Sequence, residues 1–152
     1  MTRVAITATG RYFPKRSEPN SYFYEKLGLE TNEEWIRSRT GIQERRIADI
    51  SAGECTASMG TAAARSCLER AGLDASQVDG IIVGTITPDM TFPAAACLIQ
   101  QQLGASKAFA WDVSAACSGY IFSLAQAYAL INSGMAKRIL VVGSETMSSI
   151  LD

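Results

Sequence analysis

Apolar and polar positions along the chain fall into two alternating rhythms. Val4-Ala5-Ile6-Thr7-Ala8-Thr9-Gly10 is a β-rich run closed by a glycine, and Arg11-Tyr12-Phe13-Pro14 leaves it as a loop. Tyr22 to Leu27 predicts a short helix ending at Gly28. Thr31-Asn32-Glu33-Glu34 has the form of a T-x-x-E capping box, which predicts a helix over Glu33 to Arg39 that stops near Gly41. Ser51-Ala52-Gly53-Glu54 has the same form and opens a helix to Arg70, ended by Gly72, with Met59, Ala63 and Cys67 in one row of its apolar face. After a helical turn at Asp74 to Gln77, Val78 to Gly84 is a strand apolar on both faces, the pattern of a sheet covered on each side. Pro93 starts a helix through Leu103, closed by Gly104. Phe109 to Val113 is the next strand, Cys117 to Ser133 the next helix and Arg138 to Gly143 the last strand. The order β, α, β, α, β, α, β predicts a layered α/β domain.

One helix asks for more cover than such a layer supplies. From Ser114 to Ala136 there is no charged residue, and Tyr120, Ile121, Phe122, Leu124, Tyr128 and Ile131 surround most of the helix. A helix apolar all round is buried all round. It is a poor membrane span, because Ser118, Ser123, Gln126, Asn132 and Ser133 interrupt the apolar run. A further layer of protein is expected over it.

Composition narrows the classes of function. The 152 residues carry a formal net charge of -1, which gives no global pull toward nucleic acid or anionic membrane. Cys55, Cys67, Cys97 and Cys117 form no CxxC pair and there is no histidine, so no metal is expected. Val4 to Ala8 is too short for a signal-peptide core or a membrane span. These features predict a soluble, cytoplasmic protein. Neither GxGxxG after a strand nor GxxxxGK[ST] occurs, so dinucleotide and P-loop readings fail at the motif.

Two stretches carry chemistry. In Trp111-Asp112-Val113-Ser114-Ala115-Ala116-Cys117-Ser118-Gly119 a strand turns through small residues into a helix, with a lone cysteine at or next to the first helical position. Unpaired N–H groups and the helix dipole there favour a thiolate, by at most about 2 kcal/mol, and apolar burial opposes it. Cys117 is therefore either a nucleophile with a base supplied from elsewhere or a small core residue. In the second stretch Trp35 and Arg39 share one helix face, within a cluster of Arg37, Arg39, Arg45 and Arg46. That cluster is either a solvated surface partnered by Glu34 and Glu44, or a site where an indole stacks on a base and guanidinium groups hold phosphates.

The sequence resembles the N-terminal half of 3-oxoacyl-[acyl-carrier-protein] synthases III, ketoacyl synthases of the thiolase superfamily. The match runs through Gly10-Arg11-Tyr12-Phe13-Pro14, Glu34-Trp35-Ile36, Arg39-Thr40-Gly41-Ile42, Glu44-Arg45-Arg46, Thr87-Pro88-Asp89, Phe92-Pro93-Ala94-Ala95-Ala96-Cys97, Asp112 to Gly119 and Val141-Val142-Gly143-Ser144-Glu145. The resemblance implies a thiolase-like α/β/α fold with a mixed sheet, a homodimer, and Cys117 as the nucleophile that takes an acyl group from coenzyme A. It further implies that Trp35 and Arg39 hold the coenzyme's adenine end with Thr31 nearby, and that Phe92 reaches across the dimer to close the partner's acyl pocket. It turns both ambiguous stretches toward the functional reading.

The family's histidine and asparagine, which assist decarboxylation of malonyl-acyl carrier protein, lie in a C-terminal half absent from residues 1–152. Residues 1–152 are thus expected to be an incomplete half-domain, unable alone to complete the condensation. Ala8 stands where the family pattern has glycine. The resemblance names acyl-CoA as substrate, so no resident cofactor is expected. Rival readings are a related starter enzyme of 3-hydroxy-3-methylglutaryl-CoA synthase, polyketide or quinolone type, and a non-catalytic module that binds coenzyme A or carrier protein. Nucleic-acid binding stands behind these, since a single basic cluster without repeated aromatic platforms supports it.

Overall fold

The computed structural model describes residues 3–150. At its centre lies β3 (Gly80–Gly84), buried at every position. β4 (Phe109–Val113) and β5 (Ile139–Gly143) flank it in parallel, giving the order β4-β3-β5 with Ile82 opposite Trp111 and Val141. Parallel neighbours need crossovers, supplied by α3 (Ala95–Leu103) between β3 and β4 and α4 (Gly119–Asn132) between β4 and β5. The two crossovers travel across the sheet in opposite directions. With the usual right-handed connection they must lie on opposite faces, and the packing agrees.

One face is closed by α2 (Thr56–Ala71) and α3, through Ala57, Ala64, Leu68, Ala96 and Ile99 against Ile81, Val83, Leu140 and Val142. The opposite face takes α4, whose buried positions are Gly119, Ser123 and Ala127. These small residues, four apart, let the helix lie close to the sheet. The start of β5 is tied down by Asp79, whose carboxylate accepts the N–H groups of Lys137 (2.7 Å) and Arg138 (2.9 Å). Those two bonds hold the Asp79 carboxyl below the usual carboxylate range.

Several expectations need correction. Val4 to Gly10 forms no strand. A strand needs a ladder partner about 4.8 Å away, whereas this segment has no ladder partner and lines, with β5, a cavity of about 730 Å³. Gly10 is nonetheless pressed on α2, where a Cβ would stand 2.3 Å from the Ala63 carbonyl oxygen. The mixed sheet is divided: the three-stranded sheet is parallel, and antiparallel pairing occurs in a separate ribbon of β1 (Ser17–Pro19) and β2 (Glu44–Arg46) that the sequence pattern did not predict.

Neither capping box forms as expected. α1 (Glu33–Thr40) is capped by Asn32, whose side chain accepts the Trp35 N–H at 2.9 Å, so Thr31 is not the cap. α2 starts at Thr56, with Ser58 reaching back to the Cys55 N–H at 2.9 Å. Ser51 instead sits in a short turn capped by Asp49, and Glu54 accepts from the Asp49 N–H at 2.8 Å and from the Tyr12 hydroxyl. The caps at Asn32 and Asp49 share a cause. Asn and Asp compete well with Thr and Ser as helix caps, and each lies within two positions of the residue the motif selects.

Candidate active site

The carboxyl ends of β3 and β4 mark where the chain departs to opposite faces, the crevice in which open α/β sheets hold ligands. Cys117 lies there, exposed, in the tight turn Ala116–Ser118 that links β4 to α4. The helix begins two residues later than the apolar pattern predicts, so Cys117 precedes α4 rather than opening it. Ala116 has φ of 45°, a left-handed conformation that costs an L-residue energy and is kept only where its surroundings enforce it.

The enforcement comes from a glycine contact. A Cβ on Gly84 would stand 2.8 Å from the Gly119 carbonyl carbon and the Tyr120 nitrogen, and one on Gly119 would stand 3.3 Å from the Val113 oxygen. Bare backbone at Gly84, with little room to spare at Gly119, lets the start of α4 rest on the end of β3, next to the Cys117 turn. Sequence reasoning named Cys117 but missed Gly84, Gly119 and Ala116 as its supports. The available signal was a glycine at each junction, Gly84 ending β3 and Gly119 opening α4.

The other thiols are placed differently. Cys55, Cys67 and Cys97 are partly buried. Burial pushes the Cys67 thiol upward, against the smaller opposing pull of Arg70. The Cys97 thiol faces the Ala110 carbonyl at 3.8 Å.

Trp35 and Arg39 do meet. The Arg39 guanidinium carbon lies 5.1 Å from the Trp35 ring centroid, and the indole is 52% exposed. Thr31 is half-buried just before the cap, its hydroxyl oxygen buried without a partner. Buried Asn20 fixes the base of α1, donating to the Ile42 carbonyl at 2.7 Å and to Glu33 at 3.3 Å. Two other cations of the cluster are engaged within the fold: Arg46 donates to the Pro14 and Lys15 carbonyls, and Arg45 lies over the Phe23 ring. No hydrogen bond among the described residues joins α1 to the Cys117 turn.

Phe92, 87% exposed, projects from the segment between β3 and α3. Among the described residues no group of three or more His, Cys, Asp or Glu side chains is placed to hold a metal ion. No described helix is long and apolar enough to cross a membrane.

The family model for 3-oxoacyl-[acyl-carrier-protein (ACP)] synthase III matches residues 111–152, the stretch from β4 through the Cys117 turn and beyond. A beta-ketoacyl-[acyl-carrier-protein] synthase III of Roseobacter denitrificans is 51% identical over 150 residues, which is 99% of this chain and 45% of that protein. Over nearly its whole length the chain is similar to about half of a 3-oxoacyl-[acyl-carrier-protein] synthase III. The synthase of Paracoccus denitrificans is 45% identical over all 152 residues, covering 46% of its length. Among solved structures, the Aquifex aeolicus synthase III superposes with a TM-score of 0.88 at 45% identity, over 96% of this chain and 46% of that one. The priming β-ketosynthase of the R1128 polyketide pathway does so with 0.89 at 37% identity, over 97% and 43%. The chain thus spans about half the length of the synthases III it matches, and it carries their thiolase-type α/β fold.

Proposed function

We propose that this chain is the acyl-accepting N-terminal half-domain of a ketoacyl synthase III that starts fatty acid synthesis. The observation that carries the reading is the setting of Cys117, the one exposed thiol among the described residues, on a strained turn at the crevice between β3 and β4. In the first half-reaction the Cys117 thiolate attacks the thioester carbonyl of an acyl-CoA, the coenzyme's thiolate leaves, and the acyl group remains as a thioester on Sγ. Sulfur suits both demands, since a thiolate is a strong nucleophile near neutral pH and its thioester keeps the acyl group reactive. Helix N-terminal N–H groups beside it favour the negative charge that develops on the carbonyl oxygen.

In the complete enzyme malonyl-acyl carrier protein then loses CO2, the enolate carbon left behind attacks the acyl carbon, and the C–S bond breaks to release Cys117 as a thiolate. That step draws its histidine and asparagine from the C-terminal half of the enzyme. Trp35 stacks on the adenine ring of coenzyme A, Arg39 moves to its phosphates, and Thr31 lies close by. Phe92 closes the acyl pocket of a second copy. β4 and β5 are both edge strands of the sheet among the described residues, edges that soluble proteins cover, and a second copy is taken to cover one of them. No resident cofactor takes part, and the reading implies a cytoplasmic enzyme. The likeness to the R1128 priming enzyme favours one second reading, the same first half-reaction with a different starter or acceptor.

One experiment tests both sites. The chain, joined to the rest of the Roseobacter denitrificans relative, is incubated with acetyl-CoA or with acetyl-pantetheine and its peptides are mapped by mass. Acetyl is expected on Cys117 alone, and Cys117→Ser should abolish it. Trp35→Ala should weaken the use of acetyl-CoA by about 1 to 3 kcal/mol, the scale of one base stacked on an aromatic ring, and leave acetyl-pantetheine nearly unchanged. An adduct on another thiol overturns the role of Cys117. Equal losses with both thioesters make Trp35 structural.

A further inference from the structure

The segment from Thr85 to Ala94 is held at three points, each by a carboxylate bonded to backbone N–H. At its start Glu145, just past β5, accepts from the N–H groups of Ile86 (3.0 Å) and Thr87 (3.1 Å) and from the hydroxyls of Thr85 (3.2 Å) and Thr87. In its middle Asp89 accepts the Ala57 N–H at 2.9 Å, in the first turn of α2. At its end Asp112, on β4, accepts the N–H groups of Ala95 and Ala96 at 2.8 Å each and so caps α3 from a different element. Bonds to an ionised acceptor are roughly twice as strong as neutral ones. Between Asp89 and Pro93 stand Met90, Thr91 and Phe92, which are exposed and make no hydrogen bond among the described residues. The result is an arch with anchored feet and a free apolar crown.

Glu145 stands out among the three. It is exposed and has no cation within ion-pair distance among the described residues, yet its carboxylate is folded back onto the arch and meets four donors. The same foot is reinforced from behind, where Thr87 accepts the Thr146 N–H at 2.8 Å and Thr56 shares a 2.7 Å hydroxyl contact with Thr146. We propose that Glu145 is a positioning residue which, with Asp112, fixes the height of the arch and so sets the length of acyl chain that fits beneath Phe92. This rests on the reading of Phe92 as the closure of the acyl pocket. Glu145 touches no reacting atom. Its effect passes through the Ile86 and Thr87 amides to the crown.

The test uses the full-length joined enzyme and two readouts. In Glu145→Ala, hydrogen exchange at the Ile86 and Thr87 amides should accelerate at least about tenfold while that of β3 stays unchanged; unchanged exchange overturns the clamp. With acetyl-CoA and hexanoyl-CoA as substrates, Glu145→Ala should raise the hexanoyl-to-acetyl ratio of kcat/KM by about tenfold. Phe92→Ala should shift that ratio the same way, and the double variant should go no further than Phe92→Ala alone. A uniform loss with both substrates, or shifts that simply multiply, overturns the selectivity role. If Cys117 takes no acyl group in the parent enzyme, the reading above fails, and amide exchange decides the clamp by itself. Should Glu145→Ala not fold, Glu145→Gln, which turns one accepting oxygen into a donor facing those amides, is read in the same way.

Discussion

The two faces of the sheet are built from different materials. Beneath α2 and α3 lies a closed aliphatic core in which Ile81, Val83 and Ile99 are fully buried. Beneath α4 the contact is a stripe of small residues, while Ile121 and Phe122 on the same helix are 61% and 52% exposed. The first face is closed at β3, and toward β5 it borders the cavity of about 730 Å³ that Ala63, Cys67 and Leu68 help to line. The second trades burial for a close approach, which the Cys117 turn uses, and leaves its apolar outer surface to be covered. We assign that cover to the C-terminal half and a second copy, so stability and chemistry are divided between the faces.

The largest effect separates the chain alone from the chain with its cover. Residues 1–152 produced alone should aggregate or bind hydrophobic dye strongly, since Tyr120, Ile121, Phe122 and Tyr128 together exceed the scattered apolar residues normal on a monomer. Supplying the rest of the enzyme should restore solubility. A monomeric, cooperatively folded chain that ignores the dye would break the comparison at its root.

Within the full-length enzyme, Ile99→Ala should cost about 2 to 5 kcal/mol in denaturant unfolding, because it empties a fully buried site between α2 and the sheet. Gly84→Ala acts on the other face and should cost less, about 1 to 3 kcal/mol. Its Cβ meets backbone rather than a flexible side chain, so the start of α4 must lift. Acylation of Cys117 should then fall out of proportion to stability, whereas Ile99→Ala should leave its rate per folded molecule nearly unchanged. Proportional losses in both variants would show that α4's closeness has no special link to the thiol.

Much of this was legible in the sequence, for reasons that differ between the faces. The strands at Gly80 and Ile139 announce themselves by continuous apolar runs, the strand at Phe109 by an apolar run broken only at Asp112, and the ends of α2 and α3 by Gly72 and Gly104, which take φ of 62° and 77°. Cys117 was visible as a lone thiol at a strand-to-helix junction, and Trp35 with Arg39 through their spacing of four. Bonds between distant segments were not visible. The Glu145 carboxylate bonds residues 58 and 59 positions earlier in sequence, and Asp112 caps a helix that precedes it. Val4 to Gly10 has strand composition without a strand partner, because composition selects a conformation and a ladder requires a neighbour.

The smallest effect compares a thiol from each face. Cys67, on α2, has its thiol raised by burial, so in the alkaline range the unfolded chain loses this proton before the folded one does. The sign follows: its contribution to stability is intact below the ordinary thiol range and is lost as pH rises through that range toward the raised folded value. The difference in unfolding free energy between the parent and Cys67→Ala should therefore be flat at neutral pH and shrink as the medium becomes alkaline. Cys117, exposed before α4, should meanwhile be the first thiol alkylated by iodoacetamide under native conditions, with Cys67 following only at higher pH or on unfolding. Subtracting the Cys67→Ala profile removes the titration of Tyr12, whose hydroxyl is also raised by its bond to Glu54. A difference that stays flat from neutral to alkaline pH would mean that the Cys67 thiol feels water as freely as Cys117. The α2 face would then be less closed than the buried Leu68 beside it implies.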